Sequence, residues 1–150
     1  MPYTEAIIME VLRLSSLAPI GIFHGALADT EFHGFTIPKG SMIMANHYSV
    51  HKNPKYWNDP EEFKPERFLS QDGQTVQRQQ EAFMPFSVGK RVCPGENLAR
   101  DVLFLFLTGI FQRFDVKLNP EDPKPSLEPE VSVLLCPKPF KVVMTDRIVA

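Results

Sequence analysis

Cysteine is scarce in this sequence: Cys93 and Cys136 are the only two among 150 residues. At most one disulfide can form, which excludes a disulfide-stapled scaffold and favours a reducing compartment. Long apolar runs are also missing. The most apolar stretch, Val102 to Phe111, is interrupted by Thr108 and Gly109 and falls short of the roughly 20 residues that span a bilayer. A membrane anchor is therefore not expected within these residues. Glu5 and Glu10 interrupt the first apolar residues and no basic stretch precedes them, which argues against a signal peptide. An excess of one charge is lacking too, since 16 Lys and Arg face 18 Asp and Glu for a formal net charge of −2. The composition carries no electrostatic footprint for nucleic acid.

What remains is a foldable composition, 43% hydrophobic, at the length of one ordinary domain. Tyr3 to Leu14 reads as an amphipathic helix, with Ala6, Ile7, Ile8, Val11 and Leu12 at helical spacing and Thr4 or Pro2 at its start. Leu17 to Val50 reads as short strands and hairpins, cut by Pro19, Gly21, Gly25, Gly34 and Pro38-Lys39-Gly40. From Asn53 to Phe68, prolines alternate with aromatics, predicting a meander with a short helix near Pro60 to Phe63. Gln71 to Glu81 is polar and predicts an exposed loop. Glu96 to Arg113 gives the strongest helical pattern, apolar enough to demand burial on most sides. After a Pro- and acid-rich connector, Asn119 to Pro129, two terminal strands are expected at Val131 to Leu135 and Phe140 to Met144, around Pro137-Lys138-Pro139.

The most informative run is Phe86-Ser87-Val88-Gly89-Lys90-Arg91-Val92-Cys93-Pro94-Gly95. By itself a lone cysteine reads as a small buried hydrophobe, and Cys136 is read that way, as core. The neighbours of Cys93 argue for a ligand. Gly89 and Gly95 let the backbone bend or approach a flat group closely. Pro94 fits the first turn of the following helix, which sets Cys93 at a helix N-terminus. There the backbone N–H groups, with Lys90 and Arg91, favour the thiolate, the form that binds metal. Arg91 offers a donor fork suited to a carboxylate, and Phe86 an aromatic face that can shield the sulfur. A metal, carboxylates and a flat apolar body together point to haem.

Phe86, Gly89, Arg91, Cys93 and Gly95 match F-x-x-G-x-R-x-C-x-G, and the chain resembles the cytochrome P-450 family of haem-thiolate monooxygenases. The resemblance covers essentially all 150 residues and corresponds to the C-terminal part of the family's chain. It implies an α+β unit, 1–150, taken from a mainly α fold: two main helices, short β-hairpins and the cysteine loop. The long oxygen-activating helix, other propionate contacts and an N-terminal anchor belong to a part of the family's chain not matched here. Met1-Pro2-Tyr3-Thr4-Glu5-Ala6 accordingly reads as the start of a helix inside a longer, non-autonomous arrangement.

The resemblance also assigns roles. Cys93 is the axial ligand of the iron of haem b, with Arg91 and His24 on the propionates and Phe86, Gly89 and Gly95 around the sulfur. Phe23 replaces the proline that often precedes the residue at the His24 position. Glu10 and Arg13, one helical turn apart, form with Arg67 of Pro65-Glu66-Arg67-Phe68 a structural ion triad. Pro19, Ile20, Ile22, Phe23, Ser132 and Val133 fall in stretches that line the substrate pocket, which suits a lipophilic substrate. The implied reaction inserts one atom of O2 into that substrate. Electrons come from NADPH through a separate reductase, docked on a basic face of Lys90, Arg100, Lys52 and Lys55. The motif resembles the animal microsomal branch, on the cytosolic face of the endoplasmic reticulum membrane. A haem-thiolate isomerase or dehydratase, and a haem-free, non-catalytic paralogue, remain alternatives. His33, His47 and His51 show no ligand spacing and read as surface or structural residues.

Overall fold

A computed structural model describes residues 1–78 and 80–147. The fold is α+β, with two long helices, one short helix and four two-stranded antiparallel sheets among the described residues. Helix α1 spans Pro2–Ser15, with Pro2 in its first turn, where a missing N–H is harmless. It ends at Ser16, whose backbone turns left-handed (φ 41°) and whose hydroxyl donates to the Arg13 carbonyl at 2.9 Å. The buried side of α1 carries Ala6, Ile8, Met9, Glu10 and Arg13. Ala6 and Met9 meet Trp57, Phe68, Ala82 and Phe83 in the core, with Leu12, Val50, Leu69 and Val76 against its rim.

Four short strands follow: β1 His24–Gly25 pairs with β4 Met42–Ile43, and between them β2 Thr30–Phe32 pairs with β3 Phe35–Ile37. Chain reversal at Gly21 requires glycine. Its φ is +59°, and a Cβ there would stand 2.8 Å from Cε1 of the buried His47. Gly21→Ala is expected to cost about 1–2 kcal/mol in left-handed strain alone and more in displacing the imidazole, read as a lower urea midpoint with an unchanged slope.

The extended reading of Leu17 to Val50 misses α2, His47–His51, a single helical turn started by Asn46, whose Oδ1 accepts from Ser49 N–H at 2.9 Å. The helix expected near Pro60 is absent, and a 3-10 turn forms instead at Pro65–Phe68. The carbonyls of Pro60 and Glu62 turn toward Arg13, and those of Asn58, Asp59 and Glu62 toward Arg67, so they are spent on guanidinium donors. Within Gln71 to Glu81 most residues are exposed, but Val76 bridges to Leu69 and packs on the core.

Helix α3, Glu96–Arg113, starts where expected, yet none of its residues is buried. Leu98, Leu105 and Phe106 are 67–69% exposed. The pattern that demanded burial is unpartnered on that side among the described residues, although α1 touches the helix. β5, Phe114–Leu118, continues from α3 without a break and pairs with β8, Val142–Asp146, from Phe114↔Asp146 to Leu118↔Val142. The stretch Val131 to Leu135, expected as one strand, folds on itself instead: β6 Glu130–Val131 pairs with β7 Leu135–Cys136. Ser132 makes the turn, donating through its hydroxyl to the Leu134 carbonyl at 2.8 Å. Cys136, expected in the core, is exposed; Leu135 takes the inward place.

Candidate functional site

The segment from Ala82 to Gly95 leaves the core at Phe83, which is buried, and reaches the surface by Val88. Its shape follows from two left-handed residues, Ser87 (φ 66°) and Gly89 (φ 77°). The second is free for glycine, while the first costs a serine about 1–2 kcal/mol. Backbone bonds hold the bend. Ser87 N–H donates to the Met84 carbonyl at 3.1 Å, and Cys93 N–H donates back to the Phe86 carbonyl at 2.9 Å. Between them Gly89–Arg91 form one 3-10 turn. Lys90, Arg91 and Cys93 project from this closed loop, all exposed.

Pro94 does not lie within the helix as expected. Pro94 and Gly95 form a turn, Gly95 caps α3, and the helix begins at Glu96, so Cys93 stands two residues ahead of the cap. Gly95 has an ordinary φ of −88°. A Cβ there would lie 3.8 Å from Cys93 Sγ, so glycine leaves that flank of the sulfur open. The loop is pinned to α3 by Arg100, whose guanidinium lies 5.6 Å above the Phe83 ring and 5.4 Å above the Phe86 ring while pairing with Glu96 at 2.8 Å.

Glu10, Arg13 and Arg67 meet where α1 packs on the meander. Arg13 grips Glu10 with two donors, Nε to Oε2 at 2.7 Å and Nη2 to Oε1 at 2.8 Å, both side chains fully buried. Glu10 Oε1 also accepts from Arg67 Nε at 3.1 Å and from the Lys64 backbone N–H at 2.9 Å. Burial alone pushes the Glu10 carboxyl up, but the Arg13 bonds, the Lys64 N–H and the charges of Arg13 and Arg67 outweigh it, leaving the carboxyl below its ordinary value. Both guanidiniums lie over the Trp57 ring, at 5.2 and 5.9 Å from its centroid.

Sequence reasoning missed the part played by His51. It is fully buried, its Nε2 accepts from Met84 N–H at 3.1 Å, its Nδ1 lies 2.9 Å from Ser16 Oγ, and its carbonyl accepts from Arg13 at 2.7 Å. The spacing of His47 and His51 on one helical turn was the available signal. The two partners of the imidazole, 33 and 35 residues away, were not legible.

The other expected site residues are spread more widely. His24 sits on β1, opposite Ile43 and exposed. Ile22 and Phe23 are exposed, as are Ser132 and Val133. Leu135 N–H donates to the Leu17 carbonyl at 2.9 Å, which brings the β6–β7 hairpin beside the segment holding Pro19 and Ile20. Of the basic residues, Lys52 is engaged by Glu61 at 2.6 Å and Arg100 by Glu96 and two rings, leaving Lys90 and Lys55 projecting.

This geometry has close relatives. The profile of the cytochrome P450 family matches residues 1–144. The chain is 46% identical over 147 residues to cytochrome P450 2U1 of Bos taurus and 45% identical to farnesoate epoxidase of Bombyx mori, each match covering 98% of this chain. It covers 26% and 29% of those two proteins. A solved structure of a zebra fish cytochrome P450 with abiraterone superposes with a TM-score of 0.88 at 39% identity, over 99% of this chain and 33% of the other. The chain thus spans about a quarter to a third of the length of the proteins it matches, and with 144 of its residues inside the family's profile it belongs to the cytochrome P450 family.

Proposed function

We propose that this chain supplies the proximal, thiolate-bearing side of a haem monooxygenase acting on a lipophilic substrate. The observation that carries the reading is the Cys93 loop, closed by the Cys93–Phe86 backbone bond, with an exposed sulfur beside a glycine. The donor set fits the cofactor. No cluster of three or more His, Cys, Asp or Glu forms among the described residues, and a single protein ligand suits a metal whose equatorial ligands belong to a macrocycle.

A haem bound through a cysteine thiolate supplies O2 chemistry, the thiolate's electron donation favouring O–O cleavage, so that one oxygen atom enters the substrate and the other leaves as water. Cys93 provides the ligand. Arg91 and His24 bind the two propionates, Arg91 through its guanidinium fork. Phe86, half-buried and fixed under Arg100, keeps water from one side of the sulfur. Gly89 and Gly95 keep the approach to the loop free of Cβ atoms. The Glu10–Arg13–Arg67 triad has no chemical step; it fixes the meander and α1 against each other. Pro19, Ile20, Ile22, Phe23, Ser132 and Val133 contribute to the substrate side.

Electrons from NADPH arrive through a reductase docked on the basic face of Lys90, Arg100, Lys52 and Lys55, of which Lys90 and Lys55 project freely. The resemblance to the animal microsomal branch supports the cytosolic face of the endoplasmic reticulum membrane. Among the described residues no helix is long and apolar enough to cross a membrane. Relatives named farnesoate epoxidase and steroid 17-alpha-hydroxylase/17,20 lyase favour oxygen insertion over isomerisation or dehydration.

The test is the reduced, CO-bound spectrum of the haem-loaded protein. The wild type is expected to give the strongly red-shifted Soret band of thiolate ligation, and Cys93→Ser to abolish it while haem is retained or lost. An unchanged band in Cys93→Ser would overturn the assignment.

A further inference from the structure

We propose that His51 is a positioning residue for the Cys93 loop. Its imidazole ties the Met84 backbone, where the loop leaves the core, to the Ser16 cap of α1, and the tie holds only while the ring is neutral. The proposal rests on the haem-thiolate reading above.

The hydrogen bonds dictate the ring's state. Met84 N–H is a donor and has no other role, so Nε2 must present its lone pair. A neutral imidazole then carries its proton on Nδ1, which donates to Ser16 Oγ, and the Ser16 hydroxyl donates to the Arg13 carbonyl. The result is a directed relay, Met84 N–H to His51 to Ser16 to the last turn of α1. From Met84 the path to the sulfur is short: its carbonyl accepts Ser87 N–H, and the next link is Cys93 N–H on the Phe86 carbonyl. The left-handed Ser87 lies inside this path, and its strain persists only if both ends are held.

Protonation would place an N–H on Nε2, facing the Met84 N–H donor to donor. Nothing nearby offsets that charge. Arg13 and Ser16 approach from α1, His47 and Lys52 from α2 itself, and the uncharged Phe83 and Met84 from the loop segment, with Arg100 of α3 on the far face of Phe83. Glu10 is committed to Arg13, Arg67 and Lys64, and Glu61 to Lys52. Burial first, then the charges of His47, Arg13 and Lys52, push the ring down from 6.5 to about 4. The folded value is the lower one. The stabilising contribution is therefore full above 6.5 and declines as pH falls toward 4, near which the folded ring itself takes up its proton and the tie breaks.

Two substitutions separate positioning of the loop from a general structural role. A glutamine amide reaches the Nε2 position and keeps an acceptor for Met84; an asparagine amide reaches only the Nδ1 position and keeps the Ser16 contact. In the haem-loaded protein, His51→Gln is expected to retain the thiolate-type CO band and Met84 amide protection, with a weaker acid loss of the band as pH falls toward 4 than the wild type. His51→Asn is expected to accelerate Met84 exchange by about tenfold, the size of one buried hydrogen bond, and to shift the CO spectrum away from the thiolate form. Equal behaviour of the two variants, or rescue by Asn and not Gln, would overturn the proposal. Should neither variant fold, 15N shifts of the wild-type ring decide: an Nε2 carrying the proton at neutral pH sinks the relay. A wild type without any thiolate band, but with Met84 protected and Nε2 unprotonated, would defeat the haem reading and leave the tie itself standing.

Discussion

Arg13→Ala is expected to lower the stability of the chain by about 3–5 kcal/mol, the range found when one partner of a buried ion pair is removed. Glu10 has no solvent access, so its carboxylate cannot recruit water to replace two lost donors. Arg67 and the Lys64 N–H remain, but each reaches only Oε1. The carbonyls of His51, Pro60 and Glu62 also lose a donor together. Arg13→Lys keeps the charge without the fork and should recover only part of the loss. Without Arg13, burial dominates and the Glu10 carboxyl rises, so the variant takes up a proton, and acid-unfolds, at higher pH than the wild type. Urea midpoints across pH measure both effects. In the intact parent protein the same change is expected to abolish haem incorporation. A loss within about 1 kcal/mol, typical of an exposed pair, or normal haem content would show that the triad does not hold this part of the fold.

Trp57→Ala comes second, at about 3–5 kcal/mol for a large aromatic side chain removed from a packed site. Trp57 is 2% exposed and both guanidiniums of the triad lie over its ring. The ring also tilts against Phe68 at 5.7 Å, and its Nε1–H donates to the Val50 carbonyl at 3.1 Å. Three contributions disappear together: apolar burial, the cation–π contacts and a hydrogen bond at the end of α2. Trp57→Phe separates them, since phenylalanine restores most of the volume and a weaker π face without the donor. The expected order of urea midpoints is wild type, then Phe, then Ala. If Phe and Ala unfold alike, the Val50 bond rather than the stacking carries the effect.

The two long helices were legible because their apolar residues recur at helical spacing over many turns. The cysteine loop was legible because its features lie within ten consecutive residues, Phe86 to Gly95. Failures occurred wherever distant partners decided the outcome. The Pro60 segment has helix-compatible residues, yet its carbonyls are claimed by Arg13, 47 residues earlier, and by Arg67. β5 falls in a stretch that the sequence pattern left unassigned, and its pairing with β8, Phe114↔Asp146, leaves no local trace. Within the site, the sulfur, its glycines and the charged triad could be named from short patterns. His51 could not, because a five-residue helix has no period to read and its imidazole gains meaning only from Met84 and Ser16.

Glu10 finds its backbone donor and its second arginine 54 and 57 residues further along the chain. At a synthesis rate of about 5–20 residues per second, α1 emerges several seconds before Lys64 and Arg67 exist. During that interval Glu10, on a helix face shared with Ala6 and Met9, has Arg13 as its one partner from the triad. Oε1 of Glu10 is fully engaged only once the Lys64 N–H and Arg67 have been made. The triad is therefore a non-local device: it cannot be complete until the meander has been synthesised.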